Sequence, residues 1–159
     1  MSFLDILNEA NKKVLAKYPN AQFYEADGYP EGNGTTPDDV QIWRFVYNIP
    51  PGSKECPDVP YNTTVMLRYT KGSWGNLDHV CEPWLEDVVI PLPIKMDLKE
   101  AIALMQKAGY TAPFSSVTLR WPLYPGVKEP YYIFGIPSQK VWVFVGVYSK
   151  RVHAEPMST

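Results

Sequence analysis

The chain is short of the groups from which metal and nucleophilic sites are usually built. In 159 residues there are two histidines and two cysteines. His79 and Cys81 stand two apart, but no second pair stands at ligand spacing, so no metal is expected. A thiol nucleophile at Cys81 with His79 as its base is a weak alternative, because on a strand the two would share a face without converging on a substrate. No phosphate-binding loop, dinucleotide fingerprint or nucleophile elbow is present, and no cofactor is expected. The net charge of −2 offers no basic footprint for nucleic acid. No run approaches the roughly 20 apolar residues of a membrane span, so no membrane partner is expected.

Asp5 and Glu9 interrupt the apolar run that a secretory signal would need, which points to a cytoplasmic protein with Cys56 and Cys81 as free thiols. Asn33-Gly34-Thr35 and Asn62-Thr63-Thr64 match the glycosylation sequon, which in such a compartment is a chance match.

What the chain does have is strand-forming sequence. Aromatics make up 14% of it, and sixteen prolines bound its loops. Val141, Val143, Val145 and Val147 alternate with Trp142, Phe144, Gly146 and Tyr148, so one strand there has two apolar faces. Val40 to Asn48 puts Trp43, Phe45 and Tyr47 on one face and Ile42, Arg44 and Val46 on the other. Further strands are predicted over 21–26, 63–70, 74–80, 115–121 and 131–137, with a turn at Lys71-Gly72. Phe3, Ile6, Leu7, Ala10, Val14 and Leu15 recur at helical spacing behind a Ser2 cap. Asp97-Leu98-Lys99-Glu100 reads as a capping box that opens a second helix, stopped by Gly109.

These elements predict an α+β fold of two similar units, each one helix on a three- to four-stranded antiparallel sheet. The first unit covers 1–80, a connector 81–96, the second unit 97–151 and a frayed tail 152–159, all within one globule. Several positions correspond across the halves: Lys17-Tyr18 with Lys107 and Tyr110, Phe23 with Phe114, Ile49-Pro50 with Ile136-Pro137, and Tyr69-Thr70-Lys71 with Tyr148-Ser149-Lys150. Phe45, Tyr47 and Ile49 likewise match Tyr132, Phe134 and Ile136. A helix ending as residues 15–21 or 104–110 do, followed by paired strands, resembles the PepSY-like half-domain of the broad cystatin-like grouping. That resemblance implies a mostly extracytoplasmic family often described as peptidase-regulating, with no catalytic residues to carry over.

The aromatic residues are more than one helix per half can cover on both sheet faces. The expectation is therefore a non-catalytic binding or interaction protein that uses the aromatic face and long loops. Its ligand-binding candidates are Arg44, Arg68, Trp43, Tyr47, Trp142, Phe144 and Tyr148. A guanidinium there could clamp an anion, or could pair structurally, for example with Glu25. The expected partner is a small aromatic or anionic molecule, or a protein, with a homodimer as a further possibility.

The balance leans against catalysis. The alternative is a cofactor-independent enzyme (a cyclase, isomerase or lyase) with an aromatic cavity, in which Glu86 or Asp87 moves a proton. A second alternative is an immunity or inhibitor protein acting by surface contact.

Overall fold

The computed structural model describes residues 1–158. Helix α1 (Phe3–Lys17) buries Phe3, Ile6, Leu7, Ala10 and Val14, and Ser2 closes a full capping box with Asp5. Helix α2 (Leu98–Lys107) buries Leu98, Ala101, Ile102 and Met105. The capping box expected at Asp97-Leu98-Lys99-Glu100 is replaced by a different cap. Asp97 Oδ1 accepts from its neighbour Leu98 N at 2.8 Å and also from Leu4 N at 3.1 Å, so one carboxylate ties the first turns of both helices together. Two sets of orphan N–H groups and two positive dipole ends explain that choice.

The strands are β1 (Gln22–Pro30), β2 (Val40–Ile49), β3 (Thr63–Thr70), β4 (Ser73–Val80), β5 (Asp87–Val88), β6 (Ser116–Pro122), β7 (Tyr131–Ile136), β8 (Val141–Gly146) and β9 (Val152–Pro156). They form one nine-stranded antiparallel sheet in the order β4-β3-β2-β1-β6-β7-β8-β9, with β5 beside β6. The fold is α+β. Three expectations need correcting. The tail is not frayed: residues 152–156 pair with β8. The last valine strand ends at Gly146, because Glu129 takes the backbone N–H groups of Tyr148 and Ser149 and turns the chain away. The two sulfurs are not free: Cys56 and Cys81 form a disulfide, with the loop after β2 folded back until the Cα atoms are 5.6 Å apart.

Both helices lie on one face of the sheet. Trp43, Phe45 and Tyr47 from β2, Leu119 from β6, Tyr132 and Phe134 from β7, and Val143 and Val145 from β8 are buried in the same continuous core as the helices' apolar stripes. Phe3 makes the contact concrete, with ring centroids 4.5 Å from Trp43 and 5.9 Å from Tyr132. Each such fully buried side chain contributes about 1.5–3 kcal/mol.

The candidate binding groove on the open face

The other face is read off a single line of paired residues. Arg68 on β3 stands opposite Arg44 on β2, Arg44 opposite Asp27 on β1, and Asp27 opposite Thr118 on β6. The line continues through Ile133 on β7 and Phe144 on β8 to His153 on β9. Residues on and beside this line border a groove of about 700 Å³, lined by Glu25, Asp27, Arg44 and Arg120 on one side and by Tyr131, Trp142, Phe144 and His153 on the other. That volume is within the usual range of small-molecule sites.

The charged side is a closed network. Arg44 donates through Nε and Nη2 to Asp27 Oδ2, at 3.1 and 2.7 Å, and its Nη2 lies 3.8 Å from Glu25. Arg120 donates through Nε to Asp87 Oδ1 at 2.7 Å and through Nη2 to the Glu86 carbonyl at 2.8 Å. The other Asp87 oxygen accepts from the Trp84 indole at 2.6 Å, and the Arg44 guanidinium lies 5.6 Å from the centre of that ring. Glu25 is buried between Asp27 and Asp87. Burial first, then hydrogen bonds to Asp87 and Asp27 and their negative charges, raises its carboxyl far above the ordinary value. These causes favour the protonated form of Glu25, while Asp27 and Asp87 each pair with an arginine.

The aromatic side is open. Phe144 stacks on His153, with centroids 4.7 Å apart and planes within 6°, and Tyr131 meets both rings edge-on. Trp142, 38% exposed, stands opposite Gly135. A Cβ on Gly135 would come within 2.8 Å of the indole, so the ring lies across the glycine with no side chain between them.

Of the residues expected to bind, Arg44, Trp142 and Phe144 line this groove, as does Glu86. Trp43 and Tyr47 do not; they face the helices and are 1% exposed. Arg68 lies outside it, paired with Asp78 at 2.9 Å with both side chains more than half exposed. Tyr148 is past the end of β8, edge-on to Trp121, and 55% exposed. Its match to Tyr69, a core residue, does not extend to the direction it faces. Asp87 sits beneath the groove as the partner of Arg120.

Glu25 was expected only as a structural partner for a strand arginine, and it lies 3.8 Å from Arg44; Asp27, the closer partner at 2.7 Å, was not foreseen. A bulge between Phe23 and Glu25 breaks the alternation of β1, so the apolar Phe23 and the acidic Glu25 point to opposite faces despite being two apart. Nor was His153 foreseen, in a segment expected to fray.

His79 leads elsewhere. It is nearly buried, with Nε2 2.7 Å from Thr63 Oγ1 and 3.6 Å from Cys56 Sγ, and Nδ1 3.2 Å from the Tyr18 hydroxyl. The disulfide removes the thiol that a Cys81 nucleophile would need. Among the described residues no group of three or more potential ligands is placed to hold a metal ion, and no helix is long and apolar enough to cross a membrane.

No family model matches the chain, and no curated protein matches it. Among solved structures it is similar to a protein of Clostridium difficile 630 described as a "putative lipoprotein", with a TM-score of 0.55 at 15% identity over 94% of this chain and 92% of that one. At that identity the likeness is one of fold.

Proposed function

We propose that the protein is a non-catalytic binding protein whose ligand site is the groove on the open sheet face. The observation that carries this reading is the groove's composition. A charge-paired ionic network and an exposed aromatic cluster, drawn from β1, β2 and β6–β9, line one concavity that neither helix covers. Thermal-shift screening against a broad metabolite panel tests it. Stabilisation by at least one compound, lost in Trp142→Ala, is the expected result. Hits that persist in that variant, or none across the panel, overturn the reading.

One feature favours the catalytic alternative, namely a Glu25 carboxyl raised by burial and by its neighbours Asp87 and Asp27, which is the makings of a general acid. Against it stands the burial of Glu25, 4% exposed, with its proton already shared with Asp87 and Asp27. A bound compound recovered unchanged after long incubation with the protein supports binding over catalysis.

The two-unit layout also belongs here. The sheet order reads outward from the β1–β6 pair as β1-β2-β3-β4 on one side and β6-β7-β8-β9 on the other, and a helix precedes each run. That order supports a duplication, and it is the arrangement the PepSY-like resemblance implies. As for location, the free thiols followed from the cytoplasmic expectation. A Cys56–Cys81 disulfide favours an oxidising compartment instead, as does likeness to a protein described as a lipoprotein.

A further inference from the structure

The groove combines three properties that together select a ligand. Its floor is rich in hydrogen-bond donors. A guanidinium carries five N–H groups, and Arg44 spends two of its own on Asp27 while Arg120 spends two on Asp87 and the Glu86 carbonyl. Among the described residues the remaining N–H groups have no hydrogen-bond partner.

Its charge is nonetheless not positive. Asp27 and Asp87 neutralise the two arginines, and the exposed side chains of Glu86 and Glu155 add negative charge at the lining. An anion would meet that field unfavourably, and a cation would leave the guanidinium donors without acceptors.

The third property is the wall. The Trp142 ring lies across Gly135, and Tyr131 and Phe144 continue the aromatic surface along the groove. A ring with one flat C–H face stacks on such a surface, while its edge presents oxygen acceptors to the floor.

We propose that the open-face groove binds a neutral saccharide, with one sugar ring stacked on Trp142 and its hydroxyls accepting from Arg44 and Arg120. The ligand is uncharged, rich in acceptors and apolar on one face, and these are the terms the three properties set. The groove is open along the sheet, so it suits a segment of a longer chain better than an isolated monosaccharide. This inference rests on the proposal that the groove is the ligand site.

The test titrates the whole protein with three sets of oligosaccharides, built from neutral hexoses, uronic acids and glucosamines, followed by tryptophan fluorescence and calorimetry. At least one neutral oligosaccharide is expected to bind. Trp142→Ala should weaken it by about tenfold, and Trp142→Tyr by less, in keeping with an aromatic contact. Gly135→Ala serves as the second variant, because its methyl group displaces the indole without removing it. It should weaken binding while thermal unfolding confirms that the protein remains folded.

Preference for the uronic acid or glucosamine set overturns the saccharide's neutrality. Binding that is indifferent to both variants overturns its position. Silence from all three sets, with metabolite hits still sensitive to Trp142→Ala, overturns the saccharide and leaves the groove as a ligand site. Silence from all three sets and from the metabolite panel overturns both proposals.

Discussion

On β2, Trp43 and Arg44 are adjacent in sequence and end in opposite surroundings. Trp43 is closed under α1 against Phe3, while Arg44 stands 34% exposed over Asp27 beside a groove. Every strand between β2 and β8 repeats the division. One face, carrying Phe45, Leu119, Phe134 and Val143, is sealed by the helices, and the other, carrying Asp27, Arg120, Tyr131 and Phe144, is not. The comparison shows that aromatic residues serve two purposes within one sheet. What separates them is the element that covers them, because Trp43 and Trp142 are the same residue type in similar strand contexts. On the closed face the side chains stabilise the fold; on the open face they line a groove opposite a network of paired arginines and aspartates.

The largest effect is expected where that division is broken from the closed side. Trp43→Ala removes an indole in contact with Phe3 and Phe45 from a site with no solvent to fill the space. It should cost about 3–5 kcal/mol in denaturant unfolding. Trp142→Ala, at 38% exposure, should cost less than about 1 kcal/mol in the same experiment. Comparable losses would mean that the open face is structural too. Replacing both Cys56 and Cys81 by serine releases a link between positions 25 apart and should cost about 3 kcal/mol, read by the same unfolding curve.

A narrower test stays within the arginines of the open face. Arg120 and Arg68 both pair with aspartate, yet Asp87 is fully buried whereas Asp78 is 58% exposed. Asp87→Asn leaves the Arg120 guanidinium and the Trp84 indole facing a group that no longer carries charge. It should cost about 3 kcal/mol. Asp78→Asn should cost no more than about 0.5 kcal/mol, because water already screens that pair. Urea unfolding of the two variants measures the difference.

The sequence carried the closed face further than the open one. Helical spacing at Phe3 to Val14 and alternation at Trp43 to Tyr47 are local patterns, and both survive folding because one apolar stripe meets one apolar strand face. The sequence does not say which of two apolar faces a helix will choose. Trp43 and Tyr47 were therefore grouped with Trp142 and Phe144, although the fold separates them. The acidic half of the groove was hidden for a different reason. Glu25 and Asp27 face it only because of the bulge after Phe23, and they acquire meaning only when β6 brings Arg120 opposite Glu25, nearly a hundred residues away. Arg44 could be singled out as a charge within an apolar strand and Glu25 as a candidate partner, but the pairings with Asp27 and of Arg120 with Asp87 depend on register, which is not local. The disulfide was missed similarly, since it depends on where the loop after β2 returns.

The last test, whose effect is nil at pH 4 and grows with pH, probes the network at its centre. Glu25→Gln preserves size and a hydrogen-bond donor, and if Glu25 is protonated it removes no charge. Because the folded state holds the Glu25 proton to a higher pH than the unfolded chain does, the native protein binds more protons above the ordinary carboxylate value of 4.5. Stability must then fall as pH rises from that value toward the raised one. The glutamine variant has no such proton to lose. The two proteins should unfold alike at pH 4, and the variant should become progressively the more stable between pH 6 and pH 9. Contributions from Asp27, Asp87 and the two arginines are common to both proteins and cancel in the difference to the extent that the substitution leaves their pairing intact. Parallel stability curves across that range would mean that Glu25 is ionised in the folded protein. The floor of the groove would then be net negative, with an excess of acceptors, and the ligand it suits would carry positive charge.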